Sequence, residues 1–198
     1  MITGFFGLPG CGKTTMACKI AQKELKKIKN NKSVYKHVYT NFYCKGCEKI
    51  SYSDLGNYEL TDSLIILDEL TLDADSRNFK QFDNAHKEFF ILHRHYNLDL
   101  IYFTQQWDGI DKKIRDLTHS LYYVRSLIPH KVSLSVPIKR VLVINDLTKE
   151  IVEGYDFLPF LKSIPKTRFT LLPRYFKYFD SFEKPNRELK QYDTYIYN

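Results

Sequence analysis

Two short runs in the chain bring together residue types suited to phosphate chemistry. The first, Gly7-Leu8-Pro9-Gly10-Cys11-Gly12-Lys13-Thr14, fits the pattern G-x-x-x-x-G-K-[ST]. Glycines let successive backbone N–H groups turn inward on an anion, and a helix beginning there adds the positive end of its dipole. Lys13 would reach the β- and γ-phosphates of a nucleotide, and the Thr14 hydroxyl would ligate Mg²⁺. Gly7, Pro9, Gly10, Cys11, Gly12, Lys13, Thr14 and Thr15 are thus the candidate nucleotide cradle. The second run, Leu64-Ile65-Ile66-Leu67-Asp68-Glu69, delivers two carboxylates at the end of an apolar stretch. Asp68 would hold a water of the Mg²⁺ shell, so Thr14 and Asp68 are the candidate metal residues. Glu69 would orient or deprotonate a water attacking the γ-phosphate, a group that a site built for hydrolysis needs.

These residues need particular elements to hold them. Ile2–Phe6 reads as a buried strand and Thr15–Asn31 as a helix, the order the phosphate loop requires. Ser33–Tyr39 is a strand candidate ending at Thr40-Asn41, and a polar, turn-rich stretch runs from Cys44 to Asp62. The unbroken apolar run Leu64–Leu67 is how a strand buried on both faces reads. Asn84–Tyr96 is predicted helical, with Ala85, Phe89, Leu92 and Tyr96 on one face. Leu98–Phe103 is the next strand, Gly109–Leu117 a helix, and Leu121–Val124 and Lys139–Ile144 are strands. Such alternation predicts an α/β fold with a parallel sheet and right-handed crossovers. If Leu98–Phe103 lies beside the Leu64–Leu67 strand, Gln105 is placed to sense the γ-phosphate. The alternative is a strand-end residue capping the next helix.

The chain has 198 residues and a formal net charge of +7, with 15% aromatic and 27% charged residues. That length fits one domain, here residues 1–150, with an appendage, residues 151–198, of different character. Pro159, Pro165, Pro173 and Pro185 interrupt the latter. The basic balance favours polyanionic partners such as nucleic acid or an acidic membrane surface. No signal peptide is visible, and nothing approaches the ~20 apolar residues of a membrane span. Four cysteines, one in the phosphate loop, do not form a disulfide framework, which suggests a reducing compartment.

Other signals are open to two readings. Arg77, Arg94, Arg115 and Arg125 are candidates for an arginine donated to a neighbouring subunit's phosphate, although His93-Arg94-His95 also suits a helix C-terminus. Cys44-Lys45-Gly46-Cys47 has the spacing of half a zinc knuckle, with His37 a further ligand; a tight turn with two free thiols is preferred. Cys11, at a helix N-terminus, is expected to favour its thiolate. Arg168, Arg174, Lys177 and Lys190 interleave with Tyr175, Phe176, Tyr178, Phe179, Phe182 and Tyr192, a pattern that could stack bases of single-stranded nucleic acid. Packing of this tail on its own domain or on a neighbouring subunit is preferred.

The phosphate loop, Thr40-Asn41, Asp68-Glu69 and the run from His93-Arg94-His95 to Thr104-Gln105 occur together. Ile110-Asp111-Lys112-Lys113-Ile114-Arg115 and Tyr122-Tyr123-Val124-Arg125 follow. Over roughly residues 2–146 the chain resembles the zonula occludens toxin (Zot)-like family, which includes filamentous-phage assembly ATPases, within the FtsK/HerA-like P-loop motors. The resemblance implies a RecA/ASCE-like three-layer sandwich around a mostly parallel sheet, with ATP and Mg²⁺ as cofactors. It gives Lys13, Thr14, Asp68, Glu69 and Gln105 the roles above and matches Arg77 to an arginine following the two acids. It implies a homo-oligomeric ring, a hexamer among the options, handling viral DNA or driving phage assembly and extrusion. DNA and phage coat or assembly proteins are then the partners, in the host cytoplasm. Membrane-anchored relatives carry a transmembrane helix that this chain lacks. If the chain is part of a longer anchored protein, its address is the inner face of the membrane.

Two other functions compete. A nucleoside kinase of thymidine-kinase type shares the phosphate loop and acid pair, but its zinc cysteines follow the acid-bearing strand, whereas Cys44 and Cys47 precede it. A nucleotide-gated assembly adaptor would bind nucleotide with only incidental turnover.

Overall fold

A computed structural model describes residues 1–70, 84–144, 151–158 and 163–179. Strand β1 (Ile2–Phe6) feeds the phosphate loop, and helix α1 (Lys13–Lys29) leaves it. Met16, Ala17 and Ala21 bury one stripe of α1 on the sheet, and Lys26, Lys27 and Lys29 complement the dipole at its last turn. Glu24, also buried, is held by Lys27 Nζ (2.7 Å) and the Ser33 hydroxyl (2.6 Å). The next strands are β2 (His37–Thr40), β3 (Glu48–Lys49), β4 (Ser63–Leu67) and β5 (Asp99–Thr104). Helix α2 (Asn84–Leu92) precedes β5 and α3 (Lys112–Leu117) follows it, the latter capped by the Asp111 carboxylate on Lys113 N–H (2.8 Å). Strands β6 (Ser120–Ile128), β7 (Val132–Ile144), β8 (Ile151–Phe157) and β9 (Arg168–Leu171) complete, among the described residues, one nine-stranded sheet.

Its order is β3-β2-β4-β5-β1-β6-β7-β8, with β9 also on β7. Every pairing from β3 to β6 is parallel, as the alternation predicts. From β6 onward the sheet is antiparallel, because three residues between β6 and β7 allow a hairpin and no crossover. Strand β5 lies between β1 and β4. The apolar residues of β4 are buried on both faces, as the unbroken run requires.

The core has two halves, one on each side of the sheet. On one, α1 covers Phe5, Val38, Leu64, Ile66, Phe103 and Tyr122. Phe5 stacks between its two register partners, Phe103 at 4.8 Å and Tyr122 at 4.9 Å, so one aromatic ladder crosses β5, β1 and β6. Each such pair adds ~1 kcal/mol beyond burial. On the other side Phe89, Phe90, Trp107, Ile110 and Ile114 pack on Ile65, Leu67, Leu100 and Tyr102. This is the three-layer sandwich.

Residues 151–158 and 163–179 are built into the same body. Strands β8 and β9 extend the sheet, and Leu172 to Phe179 cross α1's side to reach Cys44, where Lys45 N–H donates to Tyr178 O (2.8 Å). Tyr175, Tyr178 and Phe179 join the α1 half of the core, and Arg168 lies over the Tyr122 ring (5.5 Å). Helix α2 ends at Leu92, four residues short of the predicted Tyr96. His93–Asn97 forms a turn that closes with Asn97 at φ 50°.

Candidate functional site

The carboxyl ends of three neighbouring strands converge. β1 ends in the phosphate loop, β5 in Thr104-Gln105 and β4 in Asp68-Glu69. Gly7 N–H donates to Thr104 O (3.2 Å), tying the loop to the end of β5. The loop's turn depends on left-handed backbone at Gly10 (φ 74°) and Gly12 (φ 91°), the latter being the residue before α1. Gly7 serves a different need: a Cβ there would stand 2.2 Å from Val124 O of β6. A Cβ on Gly12 would stand 2.7 Å from Leu172 Cδ2, so the crossing segment after β9 presses directly on the loop.

Lys13 is buried across the loop, its Nζ donating to Gly7 O (2.9 Å) and Leu8 O (3.1 Å). Thr15 is buried behind it. The Thr14 hydroxyl donates to Asp68 Oδ2 (2.5 Å), so the two candidate metal residues are in direct contact. Asp68 is buried too, and burial pushes its carboxyl above the ordinary range against the pull of the Thr14 hydrogen bond and the Lys13 charge. A hydroxyl and a buried carboxylate side by side are a hard-oxygen donor set, which fits Mg²⁺. Asn41, just beyond β2, grips the Asp68 backbone: Nδ2 donates to Asp68 O (2.8 Å) and Asp68 N–H donates to Oδ1 (2.7 Å).

Glu69 adopts left-handed backbone (φ 51°), and its N–H donates to Asp68 Oδ1 (3.1 Å). Its Oε1 accepts from Gln105 Nε2 (3.0 Å). Gln105 therefore faces the acid pair, while the neighbouring Thr104 hydroxyl makes the turn's local bonds with Gln106.

Not every predicted residue comes to this edge. Arg94 lies in the turn before β5, and Asp62, before β4, donates its N–H to Tyr96 O (3.0 Å) in that turn. Arg94 therefore sits at the amino ends of the strands, away from its own phosphate loop. Arg115 pairs with Asp108 (3.2 Å). Arg125 follows Val124 on β6 and so alternates to the sheet face opposite α1. Arg77 lies outside the described residues. Cys11 corrects the thiolate expectation: burial outweighs the nearby Lys13 charge and raises its pKa, leaving a neutral thiol. His37, weighed as a zinc ligand, binds Glu48 (2.7 Å). Among the described residues no group of three or more His, Cys, Asp or Glu is arranged to hold a metal ion, and no helix is long and apolar enough to cross a membrane. Three contacts are invisible to sequence reasoning: the Asn41 grip, Leu172 on Gly12, and Cys18 beside Cys44.

Residues 45–153 match the family model described as zonular occludens toxin (Zot), a span holding Asp68, Glu69, Arg94 and Gln105. Among solved structures, the N-terminal domain of zonular occludens toxin from Neisseria meningitidis is similar, with a TM-score of 0.55 at 17% identity. The match covers 90% of this chain and 98% of that one, and it establishes a shared fold. The genome-packaging NTPase of Sulfolobus turreted icosahedral virus 2, solved with ATP-γS, aligns with a TM-score of 0.47 at 13% identity, covering 79% of this chain and 98% of that one. No curated protein sequence matches.

Proposed function

The chain belongs to the zonular occludens toxin (Zot) family, and from that premise we propose that it is a Mg²⁺-dependent ATPase, a ring-forming motor for viral DNA packaging or for phage assembly and extrusion. One observation carries the reading: the phosphate loop, the Thr14–Asp68 pair and the Glu69–Gln105 pair share one edge of the sheet. The loop amides and Lys13 hold the phosphates, Lys13 exchanging its carbonyl partners for phosphate oxygens. Thr14 and Asp68 would hold Mg²⁺, which would supply neutralisation of the charge on the phosphates. Glu69 takes the proton of the attacking water, and Gln105 fixes the direction of that carboxylate. Adenine as the base, DNA and coat proteins as partners, and the host cytoplasm as address rest on the family.

Arg94 lies at the far edge, so a part for it in catalysis would be at a neighbour's site, and that part rests only on the general logic of a donated arginine. A thymidine-kinase-type enzyme is not favoured, since the family and the placement of Cys44 and Cys47 before β4 both argue against it.

The test is the ATP hydrolysis rate with and without single- and double-stranded DNA, beside Lys13→Ala and Glu69→Gln. The reading expects a DNA-stimulated rate lost in both variants. A rate surviving both would overturn the assigned site. A rate lost in both but indifferent to DNA would replace the DNA motor with a machine acting on protein, or with an adaptor if turnover is slow.

A further inference from the structure

The Cys44-Lys45-Gly46-Cys47 turn takes no part in the nucleotide site, yet the fold does not leave its sulfurs isolated. Cys47 N–H donates to Cys44 O (3.0 Å), and Gly46 supplies the left-handed backbone (φ 85°) that the turn needs. The turn packs on α1, where Cys18 is fully buried with its Sγ 3.5 Å from Cys44 Sγ. Gln22, one turn further along α1, donates Nε2 to Lys45 O (2.6 Å) and to Cys44 Sγ (3.6 Å). Phe179 bridges to Cys44 from the chain's described end. Cys44 is thus the middle of three sulfurs drawn from two elements, and all of them are free thiols.

That arrangement biases one sulfur toward charge. Hydrogen bonding with Cys18 first, then with Cys47, holds the Cys44 thiol well below its ordinary range, while the same contacts push Cys18 and Cys47 up. Cys44 is therefore the sulfur of the three that ionises most readily, and it stands 3.5 Å from the Cys18 sulfur, the pairing that disulfide formation needs. The sulfurs are not gathered around a shared metal position.

We propose that Cys18, Cys44 and Cys47 form a dithiol–disulfide site, with Cys44 the nucleophile toward a peroxide and either neighbour the resolving thiol. The Cys44 thiolate attacks one peroxide oxygen, the O–O bond breaks, and Cys44 becomes a sulfenic acid as hydroxide leaves. The sulfur of Cys18 or Cys47 then attacks Cys44 Sγ, the S–S bond forms, and its thiol proton leaves with the sulfenic oxygen as water. Two thiols and one hydrogen peroxide become one disulfide and two waters. Closing Cys18–Cys44 needs the sulfurs to move from 3.5 Å to about 2.0 Å. The bond would tie the helix that opens with Lys13 to the turn beneath Phe179.

The experiment treats the native chain with stoichiometric hydrogen peroxide, alkylates remaining thiols under denaturing conditions, and maps tryptic peptides without reduction. Trypsin cleaves after Lys19 and Lys45, so both disulfides appear as linked peptide pairs. The expected result is loss of two of the four thiols, recovered by dithiothreitol, with Cys44 in every linked pair and Cys11 still alkylated. Cys44→Ser abolishes the linkage, and Cys18→Ala diverts it to Cys44–Cys47. Cys44 recovered as an alkylated thiol or as a sulfinic acid, or Cys11 as the residue oxidised, overturns the proposal. None of these readouts depends on ATP turnover.

Discussion

Asn41 holds the backbone of Asp68 at two points, donating to its carbonyl at 2.8 Å and accepting from its N–H at 2.7 Å. Strands β2 and β4 pair in register up to Thr40 and Ile66. The amide side chain carries that connection past the strand ends to the place where Glu69 turns to φ 51°. Removing it leaves two partly buried backbone groups without these partners, a loss of roughly 1–3 kcal/mol. Asn41→Ala is expected to lower kcat tenfold or more while changing the nucleotide Kd less than threefold. Steady-state hydrolysis and equilibrium binding check this, and an unchanged kcat would show that Asp68 keeps its position without the clamp. Asn41→Asp, which retains the acceptor and loses the donor, should fall between.

Glu69 and Gln105 act as a unit if Gln105 works by directing the carboxylate it touches at 3.0 Å. Glu69→Gln should then reduce single-turnover hydrolysis at least a hundredfold with binding preserved, and Gln105→Ala about tenfold. The double variant should be no slower than Glu69→Gln alone. A double variant slower by the product of the single effects would instead mean that Gln105 touches the phosphate independently.

What the sequence makes legible is what repeats locally. The loop spacing, the apolar run into Asp68 and the alternation of strands and helices are each written within about a dozen residues, and they define the β3-to-β6 half of the sheet. The antiparallel half was not legible, because apolar strands look alike in either direction and only the short β6–β7 link sets the direction. Periodicity carried α2 on to Tyr96, whereas Asn97 in left-handed backbone marks a turn, which leaves Arg94 at the wrong edge for its own site. Contacts such as Leu172 on Gly12 or Cys18 on Cys44 join residues distant in sequence and leave no local pattern.

Asp68 gives a prediction about pH. Burial raises its folded pKa above the unfolded value. A raised carboxyl contributes stability that is fully present below the unfolded pKa and lost as pH rises through the folded pKa. Above that point the wild-type protein holds an unfavourable buried charge that Asp68→Asn does not. The variant should melt higher than wild type without nucleotide at pH 7–8, with the gap narrowing as pH falls toward 4. It should also lose the Tm rise that Mg²⁺ and ATP give wild type. Calorimetry across that range checks both parts, and a variant melting lower at pH 8 would mean that the carboxylate's hydrogen bonds outweigh its desolvation.

Two glycines of the phosphate loop should fail in different ways. A Cβ at Gly7 meets the backbone oxygen of Val124 at 2.2 Å, an overlap that only a shift of β6 could relieve. Gly7→Ala should therefore lose ~3 kcal/mol of stability through overpacking. A Cβ at Gly10 has nothing within 4 Å, but φ is 74°. Gly10→Ala is then expected to lose only ~1 kcal/mol from left-handed backbone. Its larger effect should be on nucleotide affinity, because the loop amides relax away from the inward turn that phosphate requires. Urea melts with and without nucleotide separate the two: Gly7→Ala melts early under both conditions, and Gly10→Ala melts near wild type alone but gains little from ATP. Equal losses in the two variants would mean that the loop's shape, rather than its packing on β6, dominates at both positions.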